Sequence, residues 1–225
     1  GWECAGAVSL TPDRFTPPNL DQGLSSSKNG RINLSEKDLC KFLSDLPEYE
    51  AQTTQPARLS LGGFQEKACL CASNLKISNG YVSKADFSIP DPQAISTYIL
   101  KPQPASRFPY LVEGEAWALH TAGFAARCSE SVLMQLDNTA TTLVVKRFDR
   151  AGATNGIVRI HQEDCCQALG LPPSGKYASR AQEKGNDPRY ADIADLLIRY
   201  SAEPEKECKE LLKQLCVNLA MGNTD

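Results

Sequence analysis

The spacing of apolar positions changes along this chain, and each change predicts a different kind of element. Residues 4–10, CAGAVSL, suggest a strand. The stretch TPDRFTPPNLDQGLSSSKNGRIN then carries Pro, Ser, Asn and Gly without periodicity and reads as loop or linker. Ser35 fits a helix N-cap, with Leu39, Phe42, Leu43 and Leu46 on one face of a short helix that stops before Pro47. From about residue 57 the pattern alternates. RLSL, KACLCASNLKI and, across Asn79-Gly80, YVS predict two strands and a hairpin, because Asn-Gly supplies the turn conformation such hairpins need. STYILK, 96–101, is a further strand.

Between 113 and 126 the period becomes helical, with Ala116, Leu119, Ala122 and Phe124 as the apolar positions. SVLMQL and TLVVKRF, with a turn at Asp137-Asn138, predict a second hairpin. After Arg150 the signals are helical. They cover 161–169, ended by Gly170 and Pro172, and 189–200, with Ile193, Leu196, Leu197 and Tyr200 on its face. The last and longest helix covers 204–221. Pro204 stands in its first turn, its stripe is Cys208, Leu211, Leu212, Leu215 and Leu219, and Gly222 ends it. A sheet-rich half followed by a helical half, joined near 148–151, predicts an α+β protein of two lobes.

Composition narrows the function classes. A chain of 225 residues, 41% hydrophobic and 23% charged, can bury an ordinary globular core. Its formal charge of −3 argues against a general nucleic-acid binder, though not against a local basic patch. No apolar run approaches a membrane span and no leader-like pattern is present, so a cytoplasmic location and no membrane partner are expected. The nine cysteines fall within strand and helix patterns, which favours reduced, buried thiols over a disulfide scaffold. With only His120 and His161, no structural metal site is expected. Gly1 lies in an apolar run and Asp225 directly after a helix and turn, so both ends read as cuts within a longer protein.

Four segments could carry chemistry. Ser60-Leu61-Gly62-Gly63-Phe64-Gln65-Glu66-Lys67 lies between two strands, and adjacent glycines let backbone N–H groups approach an anion. Taken alone, the glycines favour a flexible hairpin loop. Lys101 ends a strand, where it could hold a polyphosphate or simply face water. Val145-Lys146-Arg147-Phe148-Asp149-Arg150 spans the junction of the halves; its extended backbone could read an adenine edge, although a charged strand end is the simpler account. Asp225, after Gly222-Asn223-Thr224, could be a general base or a turn residue. Their order adds weight: glycine loop, lysine, acidic helix, junction, helices, then Asp is the order of a protein-kinase-like fold.

SLGGFQEKACL resembles the serine-bearing loop of HipA-like serine/threonine protein kinases, the toxins of type II toxin–antitoxin systems linked to persistence. The resemblance continues through YILKP, VEGEAWALHTAGF, VKRFDR and RIHQEDCCQALGLPPSGKY, and GNTD matches the start of the catalytic segment. It covers nearly the whole chain. It implies a two-lobed kinase-like fold, α+β, with a sheet-rich N-lobe and a truncated helical C-lobe. Residues 1–10 would end a small N-terminal subdomain, and 11–56 would be linker and short helix. Residues 57–150 would be the N-lobe with phosphate loop and hinge, and 151–225 the start of the C-lobe.

The resemblance also implies roles. Gly62, Gly63, Phe64, Gln65, Glu66 and Lys67 would cover the ATP phosphates and Lys101 would contact them. Lys146, Arg147 and Phe148 would hold adenine through backbone groups, and Asp225 would be the catalytic base. Ser60 matches the serine the family autophosphorylates, which ejects the loop. The family binds a small helix-turn-helix antitoxin repressor, HipB-like, and so meets DNA only indirectly. It phosphorylates an aminoacyl-tRNA synthetase. Two departures stand out. Lys146 replaces a Glu common in the family, and the magnesium-binding Asn and later Asp lie beyond residue 225, so the isolated fragment is expected to be inactive.

Glu115, with Glu113 as rival, is a candidate partner for Lys101. Glu163 and Asp164 are expected to favour a helix N-terminus. Trp117, Phe124, Phe42 and His120 are expected in the core. Two other readings stay open: a catalytically incomplete subunit that binds ATP or antitoxin, and a small-molecule kinase of the same general fold, against which Ser60 argues.

Overall fold

The computed structural model describes residues 2–3, 9–10, 31–46, 65–90, 94–104, 108–136, 140–154, 156–172 and 189–223. The loop residues Ser60, Gly62, Gly63 and Phe64, the RLSL strand, the linker over 11–30, the Asp137-Asn138 turn and Asp225 all lie outside them. Contacts group the chain into two units. One comprises Gly1–His120 with Ser129–His161, the other Thr121–Cys128 with Gln162–Asp225.

The first unit is built on a sheet. Strands β1, Trp2–Glu3, and β2, Ser9–Leu10, form a short antiparallel pair. The main sheet has six strands: β3, Arg31–Asn33; β4, Ala68–Ser78; β5, Tyr81–Pro90; β6, Tyr98–Pro102; β7, Ser131–Met134; and β8, Thr142–Lys146. Their spatial order is β3-β5-β4-β6-β8-β7, with antiparallel neighbours throughout and one parallel pairing, Tyr81 with Leu133, between β5 and β7. Asn79 and Gly80 turn β4 into β5 with φ of 52° and 79°. Both are left-handed, as a tight hairpin matched to strand twist requires.

Each face of the sheet is covered by a helix. Helix α1, Glu36–Ser44, begins at Ser35, whose hydroxyl accepts the Asp38 N–H while the Asp38 carboxylate accepts the Ser35 N–H, each at 3.2 Å. It buries Leu39, Phe42 and Leu43 against Leu70, Phe87, Ile89, Leu100, Met134 and Val144. Helix α2, Leu111–Ala122, packs Val112, Ala116 and Leu119 on Ile99, Leu143 and Val145. Neighbouring residues of β8 therefore serve opposite cores, Val144 one and Leu143 and Val145 the other, which is why TLVV is a continuous apolar run. Each fully buried side chain of this kind contributes about 1.5–3 kcal/mol.

Three expectations for the predicted 113–126 helix, observed as Leu111–Ala122, fail. Trp117 and Phe124 are 65% and 82% exposed, and His120 is exposed too. The helix buries the single stripe 112–116–119, and Trp117 is set about 100° away from Ala116 around the axis. Phe42 is in the core as expected.

The chain after Arg150 is not purely helical. Strands β9, Arg150–Ala153, and β10, Gly156–Arg159, form an antiparallel hairpin that stays with the first unit. Its strands, RAGA and GIVR, show no period-two alternation of apolar and polar residues, so nothing marks it in the sequence. Gly156, at φ 127°, supplies a turn conformation that other residues rarely adopt.

In the second unit the helix predicted over 161–169 shortens to α3, Cys165–Ala168. Its N-cap is Asp164, whose carboxylate accepts the Gln167 N–H at 2.9 Å. Helices α4, Tyr190–Tyr200, and α5, Pro204–Met221, pack together, and α5 ends at Gly222 with φ 66°. The 121–128 segment is tied to α5 by Arg127, which pairs with Glu207 and approaches Glu210 at 3.8 Å, and by Gln214, which donates to the Arg127 carbonyl. The hydrogen bond to Glu207 raises the Arg127 pKa. None of the eight described cysteines is disulfide-bonded.

Candidate functional site

Strand β6 places Lys101 two residues after Ile99, so both side chains leave on the face that α2 covers. There the Lys101 ammonium meets Glu115 of α2, with Nζ to Oε1 at 2.5 Å. The two side chains are 23% and 29% exposed, half withdrawn from water yet reachable from it. Glu113, the rival, does not take this place. Its Oε2 is buried without a hydrogen-bond partner among the described residues.

Of the predicted phosphate loop, Gln65, Glu66 and Lys67 are described, each half-buried. They lead into β4, whose Ala68 pairs with Leu100, so this segment enters the sheet beside the strand that carries Lys101. The Gln65 Nε2 is buried and has no partner among the described residues. A buried amide donor without an acceptor costs about 1–3 kcal/mol, which an anion accepting from it would recover.

The junction differs from its sequence reading. The Lys146 N–H donates to the Glu130 carbonyl and the Arg147 N–H to the Thr97 carbonyl, both at 2.9 Å, so neither is open to a purine. The Phe148 N–H makes no backbone hydrogen bond among the described residues, and its ring is 67% exposed in a turn. The Lys146 side chain pairs with Glu130 at 2.8 Å, a contact that raises the lysine pKa.

Arg147 is not a charged strand end. Its guanidinium is buried and grips Asp149 with two hydrogen bonds, Nε to Oδ1 at 3.0 Å and Nη2 to Oδ2 at 2.8 Å. It also reaches Ser96 at 3.0 Å and the Cys69 sulfur at 3.2 Å. Arg150 joins from the other side, pairing with Asp149 at 3.0 Å and donating to the Ser96 carbonyl at 2.9 Å. RFDR thus encodes an Arg–Asp–Arg cluster that fixes the crossover from β8 to β9. Charged residues are rarely buried, so sequence reasoning places them outside. The signal that could have found them is one acid flanked by two arginines directly after an apolar strand.

A sheet covered on both faces, whose inner strand presents a lysine to a helix glutamate beside the Gln65–Lys67 segment, is the arrangement of a kinase-like fold. The chain belongs to the HipA-like C-terminal domain family, whose model matches residues 59–225. It is 35% identical over 227 residues to a Sinorhizobium fredii protein (strain NBRC 101917 / NGR234) named "Putative kinase Y4mE", covering 100% of this chain and 50% of that protein. Among solved structures it is similar to a chain of the Shewanella oneidensis MR-1 toxin–antitoxin complex of HipA, HipB and operator DNA. The TM-score is 0.69 at 22% identity, over 98% of this chain and 49% of that one. The chain therefore spans about half the length of the relatives it matches. Among the described residues, no helix is long and apolar enough to cross a membrane.

Proposed function

We propose that this chain forms the nucleotide-binding part of an ATP-dependent protein serine/threonine kinase of the HipA toxin class. The observation that carries the reading is the Lys101–Glu115 pair, set between β6 and α2 in a chain of this family. Glu115 holds the lysine in one place, and Lys101 offers a fixed positive charge to a polyphosphate. The Gln65 amide and the backbone of Gly62 and Gly63, with Phe64, Glu66 and Lys67 around them, would complete the cover. At the junction the Phe148 N–H, rather than those of Lys146 or Arg147, is the donor suited to adenine. ATP supplies the electrophilic terminal phosphoryl group. Asp225 takes the proton from the attacking hydroxyl. Among the described residues no group of three His, Cys, Asp or Glu could hold a metal; the magnesium proposed to accompany ATP would be held by the Asn and Asp that the resemblance puts beyond residue 225, and would neutralise charge on the transferring phosphate.

Ser60 is the proposed autophosphorylation site. Its phosphate would carry about two negative charges beside the place meant for those of ATP, and would drive the loop out. A HipB-like helix-turn-helix antitoxin is the proposed protein partner, since the similar fold from Shewanella oneidensis is found with HipB and its operator DNA. The proposed substrate is an aminoacyl-tRNA synthetase, in the cytoplasm.

The test is phosphoryl transfer from labelled ATP by the full-length protein, with the modified residues mapped. Label is expected on Ser60, and Asp225→Asn is expected to lower transfer by about 10²–10⁴-fold while ATP still binds. ATP binding without transfer by the parent protein would instead favour an incomplete subunit.

A further inference from the structure

Helix α2 starts after Tyr110, with no Ser, Thr, Asp or Asn in the N-cap position. Tyr110 has a left-handed φ of 61°, and its side chain cannot accept a backbone N–H as those residues would. The missing acceptor comes from Gln103, just past the end of β6. Gln103 Oε1 accepts the Val112 N–H at 3.0 Å, while its Nε2 donates to the Phe108 carbonyl at 2.6 Å. Its own N–H continues the sheet by donating to the Thr141 carbonyl at 2.8 Å.

Lys101 and Gln103 are two residues apart on an extended chain, so they point the same way. Val112 and Glu115 are three apart on a helix, so they share a face. Gln103 to Val112 and Lys101 to Glu115 are therefore two rungs joining one edge of β6 to one face of α2. We infer that Gln103 is a positioning residue that sets the register of α2 against β6, so that Glu115 arrives at Lys101. The inference rests on the kinase reading only for its consequence, tighter nucleotide binding; the register itself is independent of it.

The register is read directly by NMR of lysine side chains in the full-length protein, with Glu115→Gln marking the signal of an unpaired Lys101. Gln103→Leu is expected to move the Lys101 Nζ signal toward that position, and Gln103→Glu, which keeps the acceptor for Val112, to move it less. An unmoved signal in Gln103→Leu would overturn the inference. The second readout is ATP affinity. Gln103→Leu is expected to weaken it about fivefold when Lys101 is present and by less than about twofold in a Lys101→Met background. Equal losses in both backgrounds would mean that Gln103 only stabilises the fold, and the inference would fall. A parent protein that binds no ATP at all would instead defeat the kinase reading, and the NMR result would still decide the register.

Discussion

Asp149 sits between two arginines, with its carboxylate hydrogen-bonded to Arg147 and paired to Arg150, all three buried. Removing one member leaves charge unpaired in a dry environment, which costs more than the pair contributes. Asp149→Ala is therefore expected to destabilise the protein by about 3 kcal/mol or more in chemical denaturation, against about 0.5 kcal/mol for a change at an exposed site such as Lys84. A cost near that of the exposed site would contradict the cluster. The burial of these charges did not follow from the sequence, because the four charges in VKRFDR are as compatible with a wet strand end, and only the flanking of one acid by two arginines hints at a cluster. Lys101 was legible as a candidate, since it closes a strand; its choice of Glu115 over Glu113 was not, because spacing along a helix does not say which residue faces the sheet.

At the scale of elements, the strands and helices whose apolar positions recur at a clear period follow the sequence. Helix α1 has a cap box and a one-sided stripe, and β4 and β5 meet across Asn79-Gly80. The β9–β10 hairpin was missed because RAGATNGIVR gives no contrast between faces. Helix α5 shows a different limit. Its Cys208, Leu211 and Leu215 side is half-buried, whereas Leu212 and Leu219 are 61% and 81% exposed. A helix apolar on more than one side is usually interior to a larger body. In the isolated chain, Leu219→Lys is expected to raise solubility and to change stability by no more than about 0.5 kcal/mol, measured by precipitation limit and thermal unfolding. A loss of several kcal/mol would show that this side is already covered.

For the whole molecule, the α+β character and the family were readable from motifs, whereas the two-sided core of the sheet was not. The motifs fix order along the chain, and the packing of α1 and α2 on opposite faces puts Lys101 and Glu115 together. The central claim is that Lys101, held in place by Glu115, binds the phosphates of ATP. The measurement that tests it most directly is calorimetric titration of ATP into the full-length protein and into Lys101→Met. The parent is expected to bind and the variant to bind at least about tenfold more weakly, the loss of one charge-assisted contact. Equal affinity in the two proteins, with both folded, would contradict it.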